Sequence, residues 1–316
     1  MHAIKKRLPW LIRHTLELGQ RFGLNISPAH FYSETPDLRA LRTTDYWRRP
    51  WPMKGVRGTE LEPQLDWLRR TVEPWIDRTR DGAIYREACK RNGEEGFGEL
   101  EGDLLYDFIR THRPPKIIQI GCGVSTQIML VAAEEQRHAD GVYNPELVCI
   151  DPYPSPGMRD LAAKGSIRLL ASPAETVPLH ELSSLPPGGL FFVDSTHSTK
   201  VGGEVPRIIL EVFPDLPPNV LVHFHDIHFP FDYGTWTMHH KEIFFNREST
   251  LLLAFLTFND RFEILASLSM LCHARCPDVQ KLFPRFQPAP ITQGLRTGPG
   301  DFPTSLYLRT LDPVTR

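Results

Sequence analysis

Ile117-Ile118-Gln119-Ile120-Gly121-Cys122-Gly123-Val124-Ser125-Thr126 runs an apolar strand into a glycine loop, and Thr126-Gln127-Ile128-Met129-Leu130-Val131-Ala132-Ala133 opens an apolar helix behind it. Glycines at 121 and 123 carry no Cβ, so the backbone can turn sharply there and approach a ligand. Ser125 and Thr126 can cap the helix and leave its free N–H groups facing that ligand. An open α/β sheet builds a nucleotide-type site in this way. A dinucleotide fingerprint would place Gly or Ala three positions after Gly123, where Thr126 stands, and an acid about 20 residues further on. The next strand, Leu147-Val148-Cys149-Ile150, ends somewhat late on Asp151. A carboxylate there can accept two ribose hydroxyls side by side. The pattern points to an adenosine-containing ligand more than to a nicotinamide dinucleotide.

Working outward, strand and helix patterns alternate, the mark of a parallel sheet covered on both faces. A short helix is expected over Gly102–Arg110, then strands at Ile117–Ile120, Leu147–Ile150, Ile167–Leu170, Leu190–Val193 and Val220–His223. Helices are expected over Val205–Phe213 and Glu248–Phe258, and the stretches Phe262–Leu265 and Ser305–Leu308 close the sheet. Between them, Phe283–Pro303 is proline-rich and reads as a long excursion. Ligands in such sheets bind beyond the carboxyl ends of the strands. That rule gathers Gly121–Ser125, Asp151–Tyr153, Ser172–Glu175, Asp194–His197 and His225–His228 around one crevice.

Two further motifs lie at those strand ends. One is Phe191-Phe192-Val193-Asp194-Ser195-Thr196-His197, followed by Gly202-Gly203-Glu204-Val205. The other is Val220-Leu221-Val222-His223-Phe224-His225-Asp226-Ile227-His228-Phe229-Pro230-Phe231-Asp232-Tyr233. With the glycine loop, these motifs make the stretch from about Asn92 to Arg309 resemble a class I S-adenosylmethionine-dependent methyltransferase. It is most similar to a bacterial group whose loop reads roughly EVGSGxST and whose later segments read FIDSSH…GGDV and VLVHFHDIxxPFDY. The resemblance implies a Rossmann-like methyltransferase fold, a doubly wound, seven-stranded, mostly parallel α/β sheet with an antiparallel hairpin at one edge. It implies S-adenosylmethionine as cofactor, with Gly121, Gly123 and Ser125 near its methionine part and Asp151 on the ribose. Pro152 and Tyr153 would flank the adenine, Ser172, Ala174 and Glu175 would contact its edge, and Asp194 would border the site. Gln119 departs from the Glu or Asp usual at its position, so part of the recognition of the ammonium must come from elsewhere. These motifs do not specify the acceptor; the expected reaction is methyl transfer to a small molecule at oxygen or nitrogen.

Asp194, His197, His225, Asp226 and His228 form a second cluster on adjacent strands. Three readings are open. An imidazole can take the acceptor's proton. Asp194, Asp226, His197 and His228 can hold a divalent ion. The groups can also form a structural hydrogen-bond network. Catechol-type O-methyltransferases bind Mg²⁺ with acids at comparable strand ends plus an Asn after the second acid, where this chain has Ile227. His223, inside the strand, reads as a hydrogen-bonded core residue. Lys200, beside Gly202 and Gly203, reads as a rim residue able to close over substrate.

Residues 1–95 read as a separate helical and irregular cap on the cofactor domain of residues 96–316. Five of the six tryptophans lie in it, which disordered segments lack. Leu61–Ile76 has helical spacing. Tyr32, Trp47 and Trp51 are candidate aromatic walls for the substrate, and an aromatic face also suits a sulfonium.

The formal charge of −2 over 316 residues gives no electrostatic footprint for nucleic acid. Five unevenly spaced cysteines suit a reducing compartment. No apolar run approaches the ~20 residues of a bilayer span. Lys5, Lys6, Arg7, Arg13 and Arg21 against Glu17 suggest an amphipathic N-terminal helix, with the cytoplasm as the expected location. A homodimer is compatible with the sequence. Two rival functions stay open: a cyclase that folds S-adenosylmethionine on itself and releases methylthioadenosine, and a non-catalytic cofactor-binding scaffold.

Overall fold

The computed structural model describes residues 2–26, 32–33, 35–232, 247–287 and 303–312. Two compact units divide the chain, Met1–Asp45 and Tyr46–Arg316. The first carries helices α1 (His2–Arg21) and α2 (Leu38–Thr43). Asp37 caps α2, its carboxylate accepting from the N–H groups of Arg39 and Ala40.

The second unit begins with α3 (Leu61–Val72), α4 (Ile76–Thr79), α5 (Ala83–Asn92) and α6 (Glu99–His112). The boundary expected near residue 95 therefore falls inside this unit, because α3 and α5 pack on α6, α7 (Val124–Asp140) and the sheet. The single helix expected over 61–76 breaks after Val72: Glu73 still has helical backbone and donates its N–H to the Arg69 carbonyl, but Pro74 has no N–H to continue the ladder.

Seven strands follow the order β3-β2-β1-β4-β5-β7-β6. They are β1 (Lys116–Ile120), β2 (Glu146–Ile150), β3 (Arg168–Leu170), β4 (Leu190–Val193), β5 (Leu221–Phe224), β6 (Phe262–Ser267) and β7 (Leu306–Thr310). The first five are parallel, and β7 runs antiparallel to both β5 and β6. This is the doubly wound sheet with an edge hairpin that the sequence implies.

Successive strand residues divide between two cores, as a period of two demands. Ile117, Cys149, Phe192 and Tyr307 join α3, α5, α6 and α7 on one face. Ile118, Ile150, Phe191 and Leu308 join residues 205–216 and α12 on the other.

The remaining helices are α8 (Pro156–Ala163), α9 (Leu179–Leu182), α10 (Glu204–Arg207), α11 (Phe213–Asp215), α12 (Glu248–Leu256), α13 (Leu268–Ala274) and α14 (Cys276–Leu282). The one helix expected over 205–213 is interrupted by a π-helical turn, Ile208–Val212, where Phe213 N–H bonds to Ile208 C=O. Pro214 supplies no N–H for the Leu210 carbonyl, which favours the wider turn. Tyr233 and most of 283–303 lie outside the described residues.

Candidate active site

The chain order reverses at β1 and β4, which carry neighbours on opposite sides, and a crevice opens beyond their carboxyl ends. Gly121 ends β1 with φ +81°, and a Cβ there would stand 1.8 Å from the Asp194 carbonyl oxygen. Only glycine lets the loop pass so close to β4. A Cβ on Gly123 would meet nothing within 4 Å, so this backbone faces open space. Thr126 Oγ1 accepts from Gly123 N–H at 3.1 Å, fixing the turn into α7.

The crevice is a cleft of about 520 Å³, within the range of small-ligand sites. Gly121, Gly123 and Ser125 line it after β1, and Asp151, Pro152 and Tyr153 after β2. Ala174 and Glu175 line it after β3, Asp194 after β4, and Lys200 from the following loop. Asp151 braces the glycine loop, its two oxygens accepting from Cys122 N–H at 3.1 Å and Tyr153 N–H at 2.7 Å. Tyr153 is 89% exposed and free to lie over a ligand.

Two expected cofactor contacts stand elsewhere. Gln119 is fully buried, donating to Ser125 Oγ at 2.9 Å and accepting from Thr126 Oγ1 at 3.0 Å. It struts the loop from below and does not line the cleft. Ser172 is taken up in its own turn with Thr176, Oγ to Oγ1 at 3.2 Å. The sequence reading also missed residues 92 and 94–97, which close the cleft from the chain ahead of α6.

Charge defines what fits. Among the described residues, the lining carries Glu94, Glu95, Asp151, Glu175, Asp194 and Glu204 against Lys200 as its cation. Such a wall repels a pyrophosphate and attracts a positively charged ligand. The residues present therefore fit S-adenosylmethionine, whose sulfonium and ammonium are both cationic, and supply the attraction that Gln119 lacks.

Asp194 belongs also to the histidine cluster. His197 Nε2 lies 3.5 Å from Asp194 Oδ1 and 3.3 Å from Asp226 Oδ2, and His225 Nδ1 lies 3.5 and 3.6 Å from the same oxygens. Outward, His197 Nδ1 is 2.8 Å from Glu248 Oε2, and His225 Nε2 is 3.2 Å from Glu101 Oε2. Among the described residues, the donor atoms that converge as a cation would need belong to Asp194, His197 and His225. Two of the expected ligands, Asp226 and His228, are not among them, and His225 enters the group beside Asp194. Glu101 and Glu248 had no signal in the sequence, where each reads as an ordinary first-turn acid of a helix.

Burial opposes every charge in this cluster, and the partners outweigh it at Asp194, Asp226, His197 and His225 but not at His228 or Glu248. His225 and His197 hold the Asp194 and Asp226 carboxyls below the usual range. Asp194 and Glu248 raise His197 well above an ordinary imidazole, and Glu101 with the two aspartates does the same for His225. His228 is lowered, chiefly by burial, and burial raises Glu248. His223 is indeed in the core, stacked on Phe192 at 4.2 Å, but among the described residues neither ring nitrogen has a hydrogen-bond partner.

The expected aromatic walls are placed differently. Trp47 is buried at 8% exposure, and Trp51 packs on the second core while its N–H bonds to the Pro230 carbonyl at 2.7 Å. Neither lines the cleft. Tyr32 is exposed and belongs to the other compact unit.

Residues 118–227 match the family model described as a methyltransferase domain. An uncharacterised protein of Archaeoglobus fulgidus is 26% identical over 199 residues, spanning 58% of this chain and 85% of its own. Among solved structures, the chain is similar to the O-methyltransferase TomG of Streptomyces achromogenes, involved in tomaymycin synthesis and solved with S-adenosylmethionine. There the identity is 12% and the TM-score 0.44, covering 72% of this chain and 90% of that one. The family match spans the glycine loop, Asp151, Asp194 and Asp226 together, so the strand ends that gather around the crevice lie in the part of the chain that is similar to a methyltransferase domain.

Proposed function

We propose that the protein methylates a hydroxyl or amine of a small molecule, and that the His/Asp cluster at the ends of β4 and β5 receives the acceptor. The observation that carries this reading is the position of Asp194, which lines the cofactor cleft and faces both His197 and His225. Bound in the cleft, S-adenosylmethionine supplies an electrophilic methyl on sulfur. Asp151 would hold the ribose hydroxyls, and the backbone at Gly121–Gly123 would lie along the methionine part. The acidic wall holds the cationic end, and Lys200, at the rim, would help shut out water. The cluster orients the acceptor atom towards the methyl and takes its proton as the new bond forms. Alignment of this kind supplies much of the acceleration in a methyl transfer.

The test is incubation of the purified chain with S-adenosylmethionine, with and without a panel of small hydroxyl and amine compounds, followed by mass spectrometry. S-adenosylhomocysteine with a methylated partner is expected. Methylthioadenosine formed without any acceptor would replace this reading with self-cyclisation of the cofactor. Tight binding without turnover on any acceptor would favour a scaffold.

A further inference from the structure

Four atoms from two strand ends face one another: His197 Nε2, His225 Nδ1, Asp194 Oδ1 and Asp226 Oδ2. Their nitrogen-to-oxygen separations run from 3.3 to 3.6 Å. Ligands bonded at about 2.1 Å to one ion stand about 3.0 Å apart at right angles and about 3.4 Å apart at the tetrahedral angle. The observed separations suit that spacing. They are long for charge-assisted hydrogen bonds, which draw nitrogen and oxygen to about 2.7–2.9 Å.

The outward atoms are tied as a metal centre requires. A neutral His197 that donates from Nδ1 to Glu248 turns the lone pair of Nε2 inward. A neutral His225 that donates from Nε2 to Glu101 does the same with Nδ1. Glu101 is itself fixed, its other oxygen accepting from Thr304 N–H at 2.9 Å and Ser305 Oγ at 2.7 Å. Asp226 Oδ1 accepts from Thr304 Oγ1 at 3.1 Å, leaving Oδ2 towards the histidines. With neutral rings, the two imidazole lone pairs and the Asp194 carboxylate face one another across the space that a cation would fill. A carboxylate behind each ligating imidazole is the usual outer arrangement of a metal centre.

We infer that Asp194, His197 and His225 bind one divalent transition-metal ion, with Asp226 beside the histidines and Glu101 and Glu248 as their supports, and that this ion receives an acceptor oxygen. The mixed nitrogen and oxygen donors suit Mn²⁺, Fe²⁺ or Zn²⁺ and not the all-oxygen preference of Ca²⁺ or Mg²⁺. An acceptor with two neighbouring oxygens, such as a vicinal diol or an α-hydroxy acid, would chelate the ion beside the cofactor cleft. Coordination lowers the pKa of a bound hydroxyl, so a weak alcohol nucleophile gains reactivity near neutral pH. The acceptor half of the inference rests on the methyl-transfer reading; the metal half does not.

The test uses the full chain, stripped with a chelator and checked for fold by circular dichroism. Mn²⁺, Zn²⁺ and Co²⁺ are titrated in separately by calorimetry, with Co²⁺ absorption reporting the ligand set. One ion per chain with micromolar or tighter affinity is expected, with nitrogen and oxygen ligand bands and no thiolate charge transfer. Glu248→Gln should weaken binding about 10–100-fold and His225→Gln more. S-adenosylmethionine is titrated in parallel into the metal-free chain; failure there counts against the methyl-transfer reading alone. Absence of saturable metal binding in the micromolar range by the folded wild-type chain overturns the inference, as does equal binding by both folded variants.

Discussion

His197 and Asp226 meet across the ends of β4 and β5, Nε2 to Oδ2 at 3.3 Å, and both hold left-handed backbone, with φ of 57° and 58°. This conformation costs a residue with a Cβ about 1–2 kcal/mol, less for Asp and His than for most. The fold concentrates that cost at the point where the cofactor cleft meets the histidines. Strain kept at such a place is the expected companion of a working site.

Gly121→Ala should lose both cofactor affinity and stability. Its φ is +81° and the new Cβ would collide with the Asp194 carbonyl, so β1 and β4 must part. Left-handed strain and overpacking together come to about 3 kcal/mol. Thermal denaturation and calorimetric titration with S-adenosylmethionine check it; a variant unchanged in both would contradict the loop geometry described above.

Gln119 and Asp151 should separate stability from affinity. Gln119→Leu removes the donor to buried Ser125 Oγ and the acceptor of the Thr126 hydroxyl, which keeps its bond from Gly123 N–H, at a cost of about 1–3 kcal/mol in unfolding free energy. Cofactor affinity of the folded fraction should change little. Asp151→Ala should cost about 2 kcal/mol of cofactor binding, because a carboxylate that accepts from both loop and ligand is lost. Denaturant melts and calorimetry on both variants decide; equal losses of affinity would place Gln119 against the ligand.

The acidic lining should make binding sensitive to salt. Affinity for S-adenosylmethionine is expected to fall between low and high ionic strength, as screening shortens the reach of the wall. Affinity for S-adenosylhomocysteine, which lacks the sulfonium charge, should fall less. Titrations of both compounds at two salt concentrations give the ratio, and equal dependence would remove the wall from cofactor recognition.

His112 sets a pH dependence remote from the cleft. Burial against Trp67, whose ring stacks on it at 5.5 Å, lowers its pKa from 6.5 to about 4. The unfolded chain then binds this proton more readily than the folded one. Stability contributed by His112 is complete above about 6.5 and is lost as pH falls towards about 4, up to about 3 kcal/mol in all. His112→Phe should flatten that part of the profile relative to wild type in denaturant melts at pH 7, 5.5 and 4.5. Parallel profiles for the two chains would show that another group governs the window.

Much of the sheet was legible because strands buried on both faces read as short apolar runs, as Leu190–Val193 does. Asp151, Asp194 and Asp226 were legible for a related reason: each is an acid near the end of such a run. Gln119 occupies a recognisable position, but nothing local tells that its amide turns inward to Ser125 and Thr126. Glu101 and Glu248 were invisible because their partners lie 124 and 51 residues away, at His225 and His197. The backbone bond from Trp51 N–H to Pro230 was invisible for the same cause. A single chain displays its periodicities, whereas long-range pairings emerge only from packing.

The segment before α3 has a bearing on assembly. Gly55 and Arg57 accept from Phe258 N–H and Ile264 N–H alongside β6, and Gly58 lies so near Ile264 that a Cβ would stand 2.1 Å from its carbonyl oxygen. That flank of the sheet is thereby shut to strand addition. The opposite flank, β3, offers three residues, and the Arg168–Glu181 ion pair stands beside it. Among the described residues, then, neither border is a template for pairing with a second chain, and self-association would have to be built on helical surfaces.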